Sequence, residues 1–524
     1  MSERLSQLLD DLDRLEAAAA KEAGPYLADA DFLQTASREE CVQLLEEIMD
    51  RRPSEGLAAD LLLRRIFQQL LLRQQAGGRG VTAQEMDDLL VALLAAVYRH
   101  LEPGCTAREL IPALLVAART PRALLEVADL LVDDPPRDAE LAAAALAPLF
   151  LRVDYDPNWL FPRLLNALVH APVAAVVLDL ANFLTSQGHL PRHPAAEHAT
   201  QLAALLGGLA GQLGRLESEG VEGTEAIRRR SLQVSEGVAL AVALCHALAL
   251  IGDRSVVGKL YQIAELSHRR LRAEATAALA QLGEAAGRQQ LLELASEPSV
   301  RLRVLAYAEQ LGFLDQVPEE YRTAQARAES ELVLWLAQPA QLGFPPTHCE
   351  PLEHRELYWP GYDEPVDCFL FRFTYEFPEA VFTHLGLAGP ATYAFTADLA
   401  DLPPDDIFAA FAGWSAEHEE MYEFDAETVH EGERPEIARL ERRLRDEGYD
   451  AIRPVKLCLF FGDRVLVAEA LRGGQAGVAV TDPLQTTWLP RSASSRPPGA
   501  HEAYCIYKGR RLLRTFNETP ESQP

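Results

Sequence analysis

The chain has 524 residues, 48% hydrophobic and 24% charged, which is enough to bury a large core and to divide into more than one folding unit or one elongated array. Its 49 Lys+Arg stand against 78 Asp+Glu, a formal net charge of -29 that repels phosphate backbones and anionic lipid headgroups, so neither nucleic acid nor a membrane surface is an expected partner.

The first segment, MSERLSQLLDDLDRLEAA, is amphipathic and acidic. It lacks the positive n-region and continuous apolar core of a signal peptide, so a cytoplasmic protein is expected. Leu5, Leu8, Leu12 and Leu15 form one apolar stripe at helical spacing. The stripe is expected to pack on the next helix, with self-association the alternative, since two heptads are too few for a coiled coil. From Ser2 to about Gln338, Leu/Ala-rich stretches at this spacing alternate with Pro, Gly and Asp breaks. The expectation is helix after helix. The longest apolar run, Val238 to Gly252, is shorter than the roughly 20 residues of a bilayer span and carries His246, so it reads as a buried helix. Seven widely spaced cysteines, with no CxxC, indicate neither a disulfide framework nor a zinc site.

RLRAEATAALAQLGEAAGRQQLLELASEPSVRLRVLAYAEQLG, Arg270 to Gly312, nearly repeats itself. Its terminators and the one before close on Gly252, Gly283 and Gly312, separated by 31 and 29 residues. A period near 30 with Gly ending a helix is the mark of a helical hairpin that must stack on neighbours to bury its apolar face. Over about residues 241–312 the chain resembles the HEAT repeat family, especially the short bacterial HEAT-like repeats also found in phycobilisome lyases. Arg272, Glu274, Ala277, Ala278, Leu279, Leu282 and Gly283 stand in the expected places of the second helix. The resemblance implies an α-solenoid and binding surfaces in general. It carries over no lyase activity, because no site residues match.

After Phe344-Pro345-Pro346 the pattern changes. VDCFLFRFTYEF, Val366 to Phe377, alternates aromatic and other residues at period two and predicts a strand. PATYAFTADL reads as another strand or its continuation, LPPDDIFAAFAGWSAEHEEMYEF as an amphipathic helix, and Pro435 to Glu447 as a second helix stopped by Gly448. VKLCLFFGDRVLVAEAL predicts a hairpin around Gly462-Asp463, AGVAVTD a strand, and AYCIYKGRRLLRTF further strands with a turn at Lys508-Gly509. WLPRSASSRPPGA is expected to be a loop. These elements predict an α+β domain with helices on one face of a mostly antiparallel sheet.

Catalytic signatures are missing. In AEHEEMY, Tyr422 stands where HExxH needs its second histidine. A metal site using His418 with Glu419 or Asp406 and a distant His384 or His430 is weighed against a solvated acidic helix face, which is preferred. The Gly-rich pieces Gly77-Gly78-Arg79-Gly80 and Gly473-Gly474-Gln475-Ala476-Gly477 match no nucleotide-binding motif and are expected to be loops, so no cofactor is expected. Cys368 and Cys458 lie in apolar strands and are expected to be structural. Between Asp398 and Glu436 the carboxylates, among them Asp405, Asp406, Glu417, Glu419, Glu420 and Glu423, face a single basic residue, Arg434. They either dock a basic protein partner or balance Lys508, Arg510, Arg511 and Arg514 within the domain.

The expected organisation is a helical region over 1–230 with degenerate repeats, HEAT-like repeats over 231–338, an α+β domain over 339–515 and a disordered tail over 516–524. The expected function is a non-enzymatic scaffold for protein–protein interaction. The alternative is an enzyme, or a binder of a small ligand or metal, whose site lies in the C-terminal domain and whose helices recruit substrate.

Overall fold

A computed structural model of the chain describes residues 3–15, 30–50, 57–76, 86–137, 139–218, 224–378, 380–394, 399–416, 422–460, 462–491 and 497–517. The chain forms a helical region followed by an α+β region, and it divides into two compact units, Met1–Leu291 and Leu292–Pro524.

The first unit holds α1 (Glu3–Leu15), α2 (Arg38–Asp50), α3 (Leu57–Ala76), α4 (Asp88–His100), α5 (Leu110–Ala118), α6 (Pro121–Asp133), α7 (Ala139–Leu151), α8 (Ala171–Ser186), α9 (Ala199–Ser218), α10 (Thr224–Ile251), α11 (Val257–Ala264) and α12 (Arg269–Gln281). Leu5, Leu8 and Leu12 of α1 are buried, and the helix packs on α2 and α3 as its stripe requires. Helices repeatedly pack on the next but one in sequence: α2 on α4, α3 on α5, α5 on α7, α8 on α10 and α10 on α12. A single apolar cluster runs through these contacts from Leu5 to Leu282. Within α10, residues Arg229–Ile251 are long and apolar enough to cross a membrane by length and composition, and half of the most apolar window is buried against the protein. Ala241, Leu244, Cys245 and Leu248 are among the residues that join that cluster.

The glycine terminators act as the repeat spacing predicts. Gly252, Gly283 and Gly312 have φ of +77°, +84° and +74°, the left-handed region that a side chain resists. After α12 the Glu284 amide donates to the Leu279 carbonyl and the Gly283 amide to Ala280, which satisfies carbonyls left open at the helix end. Phe313 and Gly312 repeat the pattern on Ala308 and Glu309.

The division between the units falls inside α13 (Ala285–Glu293), so α14 (Pro298–Gln310) and α15 (Ala324–Leu336) belong with the strands. Physically, α15 covers a sheet. Its Ala328, Leu332 and Leu336 pack on the aromatic face of β2 (Pro365–Phe377), where Phe369, Phe371, Phe373 and Tyr375 are buried. With β1 (His348–Tyr358), β3 (Ala380–Ala388) and β4 (Tyr393–Ala394), β2 forms an antiparallel sheet in the order β1-β2-β3-β4.

The opposite face of that sheet presents Cys368, Leu370, Leu385 and Leu387 to α16 (Pro404–Ser415). A second antiparallel sheet contains β5 (Tyr422–Asp425), then, after α17 (Arg434–Asp446), β6 (Tyr449–Phe460), β7 (Asp463–Arg472), β8 (Gln475–Thr481) and β9 (Thr486–Pro490). Its Cys458, Val465, Val467, Val478 and Val480 enter the same cluster as α16 and α18 (Ala500–Asn517). Its other face packs on Ile437, Leu440 and Leu444 of α17. The second unit is therefore layered: α15, first sheet, α16 with α18, second sheet, α17.

Several expectations are corrected. The strands lie in two sheets with a helical layer between them, not in one sheet with helices on one face. The predicted α16 helix ends at Ser415, and Tyr422–Asp425 is a strand. Of PATYAFTADL, only Tyr393–Ala394 forms a strand, while residues 395–398 lie outside the described set. Trp488 to Pro490, read as loop, ends β9. AYCIYKGRRLLRTF is one helix without the turn predicted at Lys508-Gly509. Gly509 is there because α18 crosses α16 closely: a Cβ on it would collide with the Ala409 carbonyl, as one on Gly413 would with that of Cys505. Helix α18 runs to Asn517, whose side-chain amide is bonded to both backbone groups of Tyr358.

The second unit also repeats an order. A helix, a four-stranded meander and a helix occur as α15, β1 to β4, α16, and again as α17, β6 to β9, α18. PDDIFAAFAGWS aligns with AHEAYCIYKGRR, matching Phe408 with Tyr504, Ala409 with Cys505, Phe411 with Tyr507 and Gly413 with Gly509. The two close approaches, Gly413 to Cys505 and Gly509 to Ala409, exchange under this alignment, as expected of two halves related by a local two-fold.

Candidate functional site

The acidic residues singled out in the sequence meet different surroundings. Asp405 and Asp406 open α16, where the helix dipole favours carboxylates. Asp405 is exposed and pairs at 2.6 Å with Arg355 of β1, whose guanidinium also lies 4.9 Å from the centre of the Phe408 ring. Asp406 is buried and pairs with Arg510 of α18. Arg510 is thus one of the four basic residues considered as an internal balance. Glu423 lies on β5 opposite Cys458 of β6, which turns its carboxylate toward α18. It pairs there with Lys456 and, at 3.2 Å, with His501. The His501 and Lys456 donors hold the Glu423 carboxyl down, to about 2. Glu417, His418, Glu419 and Glu420 lie outside the described residues.

His384 sits on β3 opposite Phe373, on the face that packs on α15, whereas Asp406 lies on a helix against the other face. The structure does not bring these two metal candidates together. Among the described residues no group of three or more His, Cys, Asp or Glu side chains is placed to hold a metal ion. Cys368 and Cys458 are buried in the central core, as their strand positions predict.

Two features escaped the sequence reading. One is a cavity of about 410 Å³ at the Asp406–Arg510 pair, walled by Asp401, Gln475, Trp488 and Arg491 among others. The other is a chain of three groups on α18 and β5. His501 and Cys505 are four residues apart and share a helix face, with imidazole Nε2 3.8 Å from the Cys505 sulfur. Its Nδ1 is 3.2 Å from a Glu423 carboxylate oxygen, and Trp414 of α16 stands edge-on to the ring with centroids 5.0 Å apart. Contacts with the Cys505 sulfur and the Glu423 carboxylate raise His501 to about 10, so at neutral pH the ring carries a proton. Chemically this is a thiol, an imidazolium and a carboxylate in series.

Comparison with known protein families, with characterised proteins and with solved structures finds no match for this chain.

Proposed function

We propose that the chain is a non-enzymatic, cytoplasmic scaffold of the HEAT-repeat type, whose stacked helical hairpins form an α-solenoid and hold a protein partner. The observation that carries this reading is the series of hairpins closed by Gly252, Gly283 and Gly312, because such units bury their apolar faces by stacking and expose long surfaces suited to protein ligands. The formal charge of -29 favours a basic partner. Asp405, Asp406 and Glu423 already pair within the chain, so docking charge would come from Glu417, Glu419 and Glu420. The test is quantitative capture of partners by the whole protein, with those three carboxylates reversed to Lys. A retained partner that is lost in the variant, while the melting temperature stays the same, supports the reading. Retention that ignores both the reversal and added salt defeats its electrostatic part.

A second reading is favoured by the cavity at Asp406: a small-ligand site in the C-terminal unit. Its size suits a compact metabolite, and the Arg510–Asp406 pair would orient polar groups beside Trp488. Thermal shift against a metabolite panel, repeated with Gln475→Trp to fill the space, tests it. A ligand that stabilises both proteins equally does not bind there.

A further inference from the structure

The cavity at the Asp406–Arg510 pair has two unlike walls. One is the end of the second sheet, with Trp488 and Leu489 of β9 and then Arg491; the other is the first turn of α16 with Asp406, and Arg510 of α18. All of these residues belong to the second unit. The volume of about 410 Å³ stands near the lower end of small-molecule pockets, roughly 300 to 1,000 Å³, which suits a single compact molecule.

Hydrogen bonding within the chain leaves part of each charged group over. Asp406 is only 5% exposed, so its carboxylate needs partners, yet Arg510 directs both Nε and one Nη at the same oxygen, Oδ1. Among the described residues nothing bonds the Oδ2 of Asp406 or the other Nη of Arg510. Arg491 gives one Nη to Glu469 at 3.1 Å, and that carboxylate is shared with Arg453 at 2.8 Å, so the Nε and second Nη of Arg491 remain for another acceptor. With Asp401 the lining carries two carboxylates and two guanidinia, whose charges cancel. A purely anionic ligand meets the carboxylates and a purely cationic one the guanidinia, so neither gains from the whole field. A ligand that carries both charges does.

We propose that this cavity binds a free α-amino acid with an apolar side chain, an assignment that rests on the small-ligand reading of the same cavity. Because Arg510 touches Asp406, the two ligand charges must stand close together, as they do around the α-carbon of an amino acid and not at the ends of a chain. The carboxylate is taken up by Arg491 and the spare Nη of Arg510, in the planar geometry that guanidinium groups offer. The α-ammonium goes to the free oxygen of Asp406, and the side chain lies against Trp488 and Leu489. Loss of either ligand charge leaves a desolvated group on the wall unpaired, which is how the site separates an amino acid from a carboxylic acid, an amine or a sugar.

The test is equilibrium dialysis of the full-length protein against L-leucine, L-methionine and L-phenylalanine, against the N-acetyl and amide derivatives of the tightest binder, and against glucose. Acetylation removes the ammonium and amidation the carboxylate, and each is expected to weaken binding about tenfold or more. The ammonium end is probed on the ligand because Asp406→Asn would break a buried ion pair. Arg491→Gln alters a side chain that is 40% exposed; it is expected to fold, to weaken the amino acid about tenfold and to erase most of the penalty for amidation. Gln475→Trp is expected to abolish binding by filling the cavity. If Arg491→Gln does not fold, the two ligand derivatives and Gln475→Trp decide the matter. Binding that ignores acetylation and amidation, binding that survives Gln475→Trp, or no binding of the three amino acids at millimolar concentration overturns the proposal. When glucose or another metabolite binds the unaltered protein and not Gln475→Trp while no amino acid does, only the amino-acid assignment falls. When nothing binds in the cavity, the small-ligand reading falls with it.

Discussion

The carbonyl oxygen of Cys505 occupies the space in which any side chain at Gly413 would have to stand, and the carbonyl of Ala409 does the same at Gly509. Two helices can approach this closely only when both supply a residue without a Cβ at the crossing. Gly413→Ala is accordingly expected to cost about 1 to 3 kcal/mol by overpacking. Gly208→Ala, in α9 with open space around it, should gain about 0.5 to 1 kcal/mol from helix propensity. Urea unfolding of both variants checks the contrast, and a neutral Gly413→Ala would mean that the helices do not cross as described.

Gly283 tests the hairpin closure. At φ +84° a β-branched residue is strained whatever the space, so Gly283→Val should destabilise by roughly 1 kcal/mol or more, while Gln290→Ala, at an exposed position of α13, changes little. Calorimetry that finds equal melting temperatures for the two would count against the register.

Arg301 belongs to the second Arg-Leu-Arg of the repeat and is buried. Its guanidinium donates to the Ala295 carbonyl at 2.8 Å, the Ala326 carbonyl at 2.7 Å and the Glu329 carboxylate at 2.6 Å, so it clamps α14 to α15. Arg301→Ala leaves Glu329 and two carbonyls without that donor and is expected to cost about 3 to 5 kcal/mol. Arg301→Lys should recover less than half, because one ammonium cannot reach three directions. Full rescue by Lys, seen in chemical denaturation, would show that charge alone matters here.

His193 gives the first unit a pH dependence. The ring is buried, contacts Asn182 at 3.1 Å through Nε2 and accepts from the Ala195 amide at 3.2 Å; burial and nearby His246 depress it to about 4. A folded histidine below its unfolded value of 6.5 binds protons less readily than the unfolded chain does. Its neutral form is therefore fully stabilising above about pH 6.5, and that contribution is lost as pH falls toward 4, by up to roughly 3 kcal/mol. His193→Gln should flatten the curve in this window, as measured by urea melts between about pH 4 and 7.5. An unchanged slope would place the acid sensitivity elsewhere.

Glu423 and His501 shift in opposite directions. Glu423, held to about 2, stabilises above its ordinary value of 4.5 and stops doing so as pH falls toward 2. His501, raised to about 10, stabilises fully below 6.5 and stops as pH rises toward 10. Both contributions are complete only between about pH 4.5 and 6.5, so the link between β5 and α18 is predicted to be tightest there. Hydrogen exchange of the Glu423 and Phe424 amides across this range checks it, and slowest opening at pH 9 would contradict it.

The helices and the glycine stops were legible because a 3.6 period and a left-handed terminator are local properties. Likewise, the alternation in Val366 to Phe377 showed β2 directly. The two sheets were not legible, because strand pairing is decided by distant residues and Cys368 and Cys458 look alike in sequence although they line different sheets. Helix α18 was misread because Lys508-Gly509 resembles a turn, whereas Gly509 serves a helix crossing. That error hid the contact of His501 with Cys505 as well: four residues along a strand place the two about 13 Å apart, and along a helix about 6 Å. One further signal was available and missed, Gln310-Leu311-Gly312-Phe313 returning as Gln341-Leu342-Gly343-Phe344, with Gly343 at φ +80°.

The scaffold reading is tested most directly by measuring how tightly the intact chain retains its cellular protein partner at low and at physiological salt, with and without Glu417, Glu419 and Glu420 reversed to Lys. The expected result is a basic protein bound in near-stoichiometric amount, weakened by salt as charges are screened over about 8 Å, and lost in the variant without a fall in melting temperature. No retained protein, together with a small molecule that stabilises the chain through the Asp406 cavity, would contradict it.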